Sequence, residues 1–259
     1  EARARMMAEK TEERGLLRPG ATIVLPTGGN MGVSLALVAA AKGYRLAVVT
    51  PESVPAERRR LVTRFGATVH LTPSHLGMEG ANLVARRMLE SDRDAVTLDH
   101  FSNPANPRAH REGTGREILE ATEGQVHAFV AGVGTGGTLT GVGEALKAAD
   151  PSVLVVAVEP TASPLLSEGW AGDHDIAGIG ADFVPPILNR AIIDEVITIT
   201  TQEAVDTTMR LARELGLLVG VSSGANVFAV QRVASRLGED KVVVTVLPDT
   251  GERYLALPA

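Results

Sequence analysis

Apolar residues are distributed along this chain in two alternating patterns. Short runs rich in Val and Ile are separated by longer stretches whose apolar positions recur every three or four residues. The short runs at 22–25, 46–50, 68–72, 95–98, 128–131, 153–158 and 242–247 predict strands. Several are apolar at nearly every position, as expected of parallel strands covered by helices on both faces. The longer stretches at 31–42, 56–65, 79–90, 108–121, 137–149, 202–215 and 223–237 predict helices, and an amphipathic helix containing Lys10 precedes them. Gly15, Gly43, Gly66 and Gly124 follow helices, while Pro107 and Pro151 stand near element starts. Strand and helix alternating in this way predict an α/β fold built on parallel sheets. The segment from 161 to about 189 has neither pattern, and a loop of that length inside a domain is usually functional or disordered. Asn103-Pro104-Ala105-Asn106-Pro107 is a softer break and sets the expected domain boundary, giving 1–104 and 105–259.

Composition narrows the function classes. With 259 residues, 44% hydrophobic and 22% charged, the chain can bury one large core or two modest ones. A net charge of −6 and a pI near 5.6 argue against a nucleic-acid partner. No apolar run approaches the roughly 20 residues that span a bilayer, and Glu1-Ala2-Arg3-Ala4-Arg5 opens a charged helix rather than a secretory leader. A cytoplasmic protein is the expectation. The absence of cysteine excludes disulfides, thiolate zinc sites and a cysteine nucleophile from this sequence, and the six histidines show no ligand spacing, so no metal site is expected.

One motif points to a ligand. A strand ending near Ala131 leads into Gly132-Val133-Gly134-Thr135-Gly136-Gly137-Thr138 and then a helix. Glycines let the backbone approach an anion, and the helix start offers free N–H groups and the positive end of its dipole. A phosphate is the expected guest, and a ligand-free turn is the plainer alternative. Gly132, Gly134 and Gly137 also satisfy G-x-G-x-x-G, with Glu159 at the end of the next strand placed like the acid that holds an NAD ribose. An NAD-dependent oxidoreductase is therefore the rival reading. Against it, the motif lies in mid-chain, and Thr135 and Thr138 add hydroxyls suited to a compact monophosphate.

Five further segments carry a resemblance. Pro26-Thr27-Gly28-Gly29-Asn30-Met31-Gly32 is similar to the P-T-S-G-N-T-G loop of cysteine synthases and cystathionine β-synthases, and Phe101 to Pro107 to their F-x-N-P-A-N-P. Gly178 to Pro185 resembles G-I-G-A-G-F-V-P, Gly220 to Ala225 resembles G-I-S-S-G-A, and Pro248 to Tyr254 resembles P-D-S-G-E-R-Y. The chain thus resembles the pyridoxal-phosphate (PLP) enzymes of fold type II along its whole length. The resemblance implies two doubly wound α/β domains with PLP in the cleft between them. It also implies a mobile subdomain at about 45–90, a homodimer and an amino-acid substrate. Gly134, Thr135, Gly136, Gly137 and Thr138 would bind the cofactor phosphate, Asn30 its ring oxygen and Ser222 its pyridine nitrogen. Ser222 alternatively caps the helix that follows it. Thr27, Gly28, Gly29, Met31, His100 and Gly178 would face the substrate, with the N–H groups of the Thr27 loop gripping its carboxylate.

The implied reaction is β-replacement on an O-activated serine, with cysteine formation from O-acetylserine and sulfide as first choice. Cystathionine or diaminopropionate formation and serine/threonine dehydration are alternatives within the fold. Gly28 stands where the family has serine, Met31 where it has threonine, and His100 where it usually has glutamine. Three changes around one pocket point to an altered substrate or nucleophile. Met31 is alternatively a packing residue. His100 either brings an acid–base group into the site or lies on the surface. The family also requires a lysine that carries the cofactor. Lys10, Lys42, Lys147 and Lys241 all lack that lysine's surroundings, and matching 1–20 to the family places the position directly before Glu1. A catalytically inactive PLP-fold subunit is the reading if no such lysine exists.

Overall fold

The computed structural model describes residues 1–254 and divides into two compact units, residues 1–105 and residues 106 onward. In the first unit the order is α1 (Ala2–Glu13), β1 (Thr22–Pro26), α2 (Asn30–Lys42), β2 (Arg45–Pro51), α3 (Ala56–Arg64), β3 (Thr68–Thr72), α4 (Gly77–Ser91) and β4 (Ala95–Val96). Its sheet is parallel throughout, in the order β3-β2-β1-β4. Period-two alternation divides the strand residues between two cores. Ile23, Leu25, Leu46 and Val48 pack with α1 and α2, while Val24, Ala47 and Val49 pack against Ala81 and Ala85 of α4.

The second unit repeats the plan. After the first residue of α5 (Ala105–Ala109), which ends the first unit, it runs through the rest of α5, a π-helical turn (His110–Thr114), α6 (Gly115–Ala121), β5 (Ala128–Gly132), α7 (Gly137–Ala149), β6 (Leu154–Pro160), β7 (Glu195–Ile199), α8 (Thr201–Leu215), α9 (Val221–Leu237) and β8 (Val243–Thr245). Its sheet is again parallel, in the order β7-β6-β5-β8. Ala128, Val130, Val156 and Val158 face α8 and α9, whereas Phe129, Ala131, Val155 and Ala157 face α7. Both sheets are therefore doubly covered. In each, the chain reverses its direction of growth beside the first strand, between β1 and β4 and between β5 and β8. Ligands of open parallel sheets bind beyond the carboxyl ends of the strands at such a switch point. That rule selects the segments after β1, β4, β5 and β8.

Several boundaries differ from the sequence pattern. β4 and β8 stop after two and three residues because only these pair with β1 and β5. The expected helix at 108–121 starts at Ala105, where Asn103 Oδ1 accepts from Ala105 N at 3.0 Å and the first turn tolerates Pro107. β7 was not expected at all. It is an edge strand with Ile197 and Ile199 buried and Glu195, Val196 and Thr198 half-buried, so its apolar signal is diluted. The 161–189 segment is irregular, as expected.

Candidate active site

The glycine loop leaves β5 at Gly132 and enters α7 at Gly137, with Gly136 at φ +81 as the helix cap residue. Its backbone is held from three sides. Gly132 N donates to Asn226 Oδ1 at 2.8 Å, and Asn226 Nδ2 donates to Val246 O at 2.9 Å. A Cβ at Gly134 would overlap the carbonyl oxygen of Gly178, and one at Gly137 would overlap the buried Asn106 amide. Gly180 N donates to Val133 O at 2.9 Å, which ties the Gly178–Gly180 turn to the loop. Only glycine fits these approaches. Gly137 N, at the opening of α7, reaches back to Thr135 Oγ1 at 3.4 Å, and the helix start offers an anion the positive end of its dipole.

Ser222 lies across from this loop. A Cβ at Gly178 would stand 3.9 Å from Ser222 Oγ, so the two face each other with nothing between them. The helix cap of α9 is Gly220, which makes Ser222 the second helical residue and not the cap; its side chain is 3% exposed. The segment after β8 supports that helix start: Gly220 N donates to Asp249 O at 3.2 Å, and Tyr254 Oη donates to Asp249 Oδ2 at 2.5 Å. Thr135, Thr138, Gly178 and Ser222 thus gather at the carboxyl end of the second sheet. A phosphate at the α7 N-terminus and a ring reaching a neutral hydroxyl would fit these residues.

Glu159 is used differently from the NAD reading. Its carboxylate is 2% exposed and accepts from Leu166 N (2.7 Å), Ser167 N (3.0 Å) and Ser167 Oγ (2.5 Å). It pins the start of the irregular segment and has no geometry for a ribose.

In the first unit the segment after β1 holds the predicted substrate residues. Thr27 is buried, its Oγ1 accepts from Gly29 N at 3.2 Å, and Gly29 caps α2, which Asn30 opens. Arg58 Nη1 donates to Gly28 O at 2.6 Å, and a Cβ at Gly28 would stand 3.2 Å from Val54 Cγ2. Met31 is 3% exposed within the α1–α2 core, so only its backbone is available to a ligand. His100 follows β4 and is 7% exposed, its ring tilted against that of Phe101 with centroids 4.4 Å apart. The surface reading is therefore corrected. Burial, with the Arg3 guanidinium adding to it, pushes the imidazole down to about 4 against a smaller opposing pull from Asp99. His100 is neutral near pH 7, which removes the reading of it as a group that changes charge there.

The lysines stand elsewhere. Lys10 pairs with Glu13 at 2.7 Å, Lys42 with Glu12 at 3.0 Å and Lys147 with Asp194 at 2.8 Å, and Lys241 is exposed. Sequence reasoning missed the supports of the loop, Asn106, His110 and Asn226. Asn106 lay inside a matched motif, but nothing local marks the other two.

Comparison with known proteins gives the same answer as the geometry. Residues 2–249 match the family described as pyridoxal-phosphate dependent enzyme. The chain is 47% identical over 253 residues to cysteine synthase of Staphylococcus aureus, which spans 97% of this chain and 81% of the relative. Among solved structures, O-ureido-L-serine synthase superposes with a TM-score of 0.95 at 44% identity, covering 98% of this chain and 81% of the other. Cysteine synthase from Entamoeba histolytica superposes with a TM-score of 0.94 at 34% identity, covering 99% and 76%. With its glycine cradle, its neutral Ser222 and a match over nearly its full length, the chain belongs to the family of pyridoxal-phosphate-dependent enzymes, in the parallel α/β fold of type II.

Proposed function

We propose that this protein catalyses β-replacement on an O-activated L-serine, forming cysteine and acetate from O-acetylserine and sulfide. The observation that carries the reading is the cradle of Gly134 to Thr138, closed behind by Gly178 and faced by Ser222. In this reading Gly134, Thr135, Gly136, Gly137 and Thr138 hold the phosphate, Ser222 meets the ring nitrogen and Asn30 the ring oxygen. Bound pyridoxal phosphate supplies an electron sink for the pair left behind when the α-proton departs. Ser222, a neutral hydroxyl, does not favour a protonated ring nitrogen as a carboxylate would, and this suits prompt loss of a β-substituent over transamination. The N–H groups of the Thr27–Asn30 turn bind the substrate carboxylate, with Gly178 and His100 beside the substrate. Closure of that turn together with segment 45–90 excludes water once substrate is bound. The protein is cytoplasmic and homodimeric in the same reading, on family resemblance.

The test is product analysis by mass spectrometry, with O-acetylserine, O-phosphoserine or serine offered against sulfide. Cysteine from O-acetylserine supports the assignment; no turnover of any of the three overturns it. The likeness to O-ureido-L-serine synthase, with Gly28 and His100 at the substrate positions, favours a second reading, in which hydroxyurea replaces sulfide and O-ureido-L-serine is formed. Competition between the two nucleophiles in one mixture separates them. Cystathionine, diaminopropionate or a keto acid as main product would each move the assignment within the fold.

A further inference from the structure

Each threonine of the glycine loop has a partner behind it. Asn106 Nδ2 donates to Thr135 Oγ1 at 3.1 Å, and His110 Nε2 lies 3.2 Å from Thr138 Oγ1. The other ring nitrogen, His110 Nδ1, is 3.1 Å from Thr114 Oγ1. Asn106 belongs to α5, and His110 and Thr114 are the two ends of the π-helical turn that continues it. Such turns are frequent at functional sites. Here α7 comes very near: a Cβ at Gly141 would be only 2.8 Å from both His110 Cβ and Arg111 N. The loop is therefore backed by one irregular helix through two polar contacts.

The polarity of these contacts has a consequence. A hydroxyl has one proton to give and lone pairs to accept with, whereas an amide nitrogen only donates. Thr135 Oγ1 accepts from Asn106, and Gly137 N approaches the same oxygen at 3.4 Å. Its own proton is then directed away from both. Thr138 has two arrangements. With the hydrogen on Nε2, His110 donates to Thr138, whose proton remains for an anion. With the hydrogen on Nδ1, Nε2 takes the Thr138 proton and the hydroxyl shows an anion only lone pairs. Thr114 Oγ1 can serve either ring form, as acceptor or donor, but a phosphate dianion only accepts, so its binding selects the first arrangement, in which Thr114 donates to Nδ1.

We propose that Asn106 and His110 are positioning residues that hold the Thr135 and Thr138 hydroxyls as proton donors toward a bound phosphate, with Thr114 donating to His110 Nδ1 in that arrangement. The proposal rests on the reading that this loop takes the cofactor phosphate.

The test uses apoprotein, prepared by removing the cofactor with hydroxylamine, and follows pyridoxal phosphate rebinding by absorbance and the bound phosphate by phosphorus NMR. His110→Phe should weaken rebinding about tenfold, the loss of one charge-assisted contact, and shift the phosphorus resonance. His110→Gln, which returns an N–H near the Nε2 position, should recover most of the affinity, while Thr114→Val should weaken it about threefold. Apoprotein melting temperatures should be the same for wild type and His110→Gln. Wild-type rebinding within twofold for His110→Phe, with an unshifted resonance, overturns the proposal. So does an equal loss in His110→Phe and His110→Gln accompanied by a lower apoprotein melting temperature, which marks a structural role only. Wild-type protein that fails to take up the cofactor overturns the reading of the loop itself.

Discussion

Ser222 and His100 show how position in the fold decides what a side chain does. Ser222 looks like a helix cap from its neighbours, but Gly220 takes that role and Ser222 is turned toward Gly178. Ser222→Ala should lower kcat/KM for the β-replacement about fivefold, the worth of one neutral hydrogen bond, with little change in melting temperature. His100 is buried and its imidazole lies at about 4, below the ordinary 6.5. The sign follows from linkage: the unfolded chain takes up a proton near 6.5 that the folded state refuses until about 4. The stability this depression gives is complete above pH 6.5 and is lost as pH falls toward 4. Denaturant unfolding between those limits should show a steeper loss in wild type than in His100→Asn, by on the order of a few kcal/mol. Residues whose role lies in their type were visible in the sequence, the loop glycines first among them. Asn226 and His110 were not, because their partners, Gly132 and Thr138, lie 94 and 28 positions away.

At the scale of elements, the long helices and the inner strands follow from apolar spacing, and the misses fall where spacing is weak. β7 has one face in the core and its other residues half-buried. The π-helical turn leaves no mark in the pattern; it lies where Gly141 of α7 packs closely against His110 and Arg111. Glu159 explains how the irregular segment is held. Its carboxylate satisfies two backbone N–H groups and one hydroxyl while almost fully buried. Glu159→Leu should destabilise the second unit by about 1–3 kcal/mol and make 161–189 the first site of cleavage in limited proteolysis. The start of α8 is a simpler case. Thr200 and Glu203 form a reciprocal capping box, with Glu203 N donating to Thr200 Oγ1 at 3.2 Å and Thr200 N to Glu203 Oε2 at 2.8 Å. Thr200→Ala should cost about 1 kcal/mol in chemical denaturation and leave cofactor binding unchanged.

For the whole molecule, the alternation of strand and helix was enough to predict doubly covered parallel sheets. It was not enough to predict strand order, which depends on pairings between segments far apart in the chain. Each unit has cores on both faces of its own sheet. The cofactor residues assigned to the glycine loop and Ser222 lie in the second unit, so saturating cofactor should protect its amides preferentially. At one hundred times the dissociation constant the added stability is about 2.7 kcal/mol, readable by hydrogen exchange in β5, α7 and the first turn of α9.

The two sheets share one strand order, β3-β2-β1-β4 and β7-β6-β5-β8, and each places its working turn directly after its first strand. One plan is thus used twice, with a turn and a helix start at the same place in each sheet. In the proposed reading the turn of the second unit, Gly132 to Thr138, holds the cofactor phosphate. Its counterpart, Thr27 to Asn30, holds the carboxylate of the amino-acid substrate in the same reading. Gly28→Ser should therefore alter substrate choice and leave cofactor affinity unchanged, so that the two tasks can be tuned one at a time.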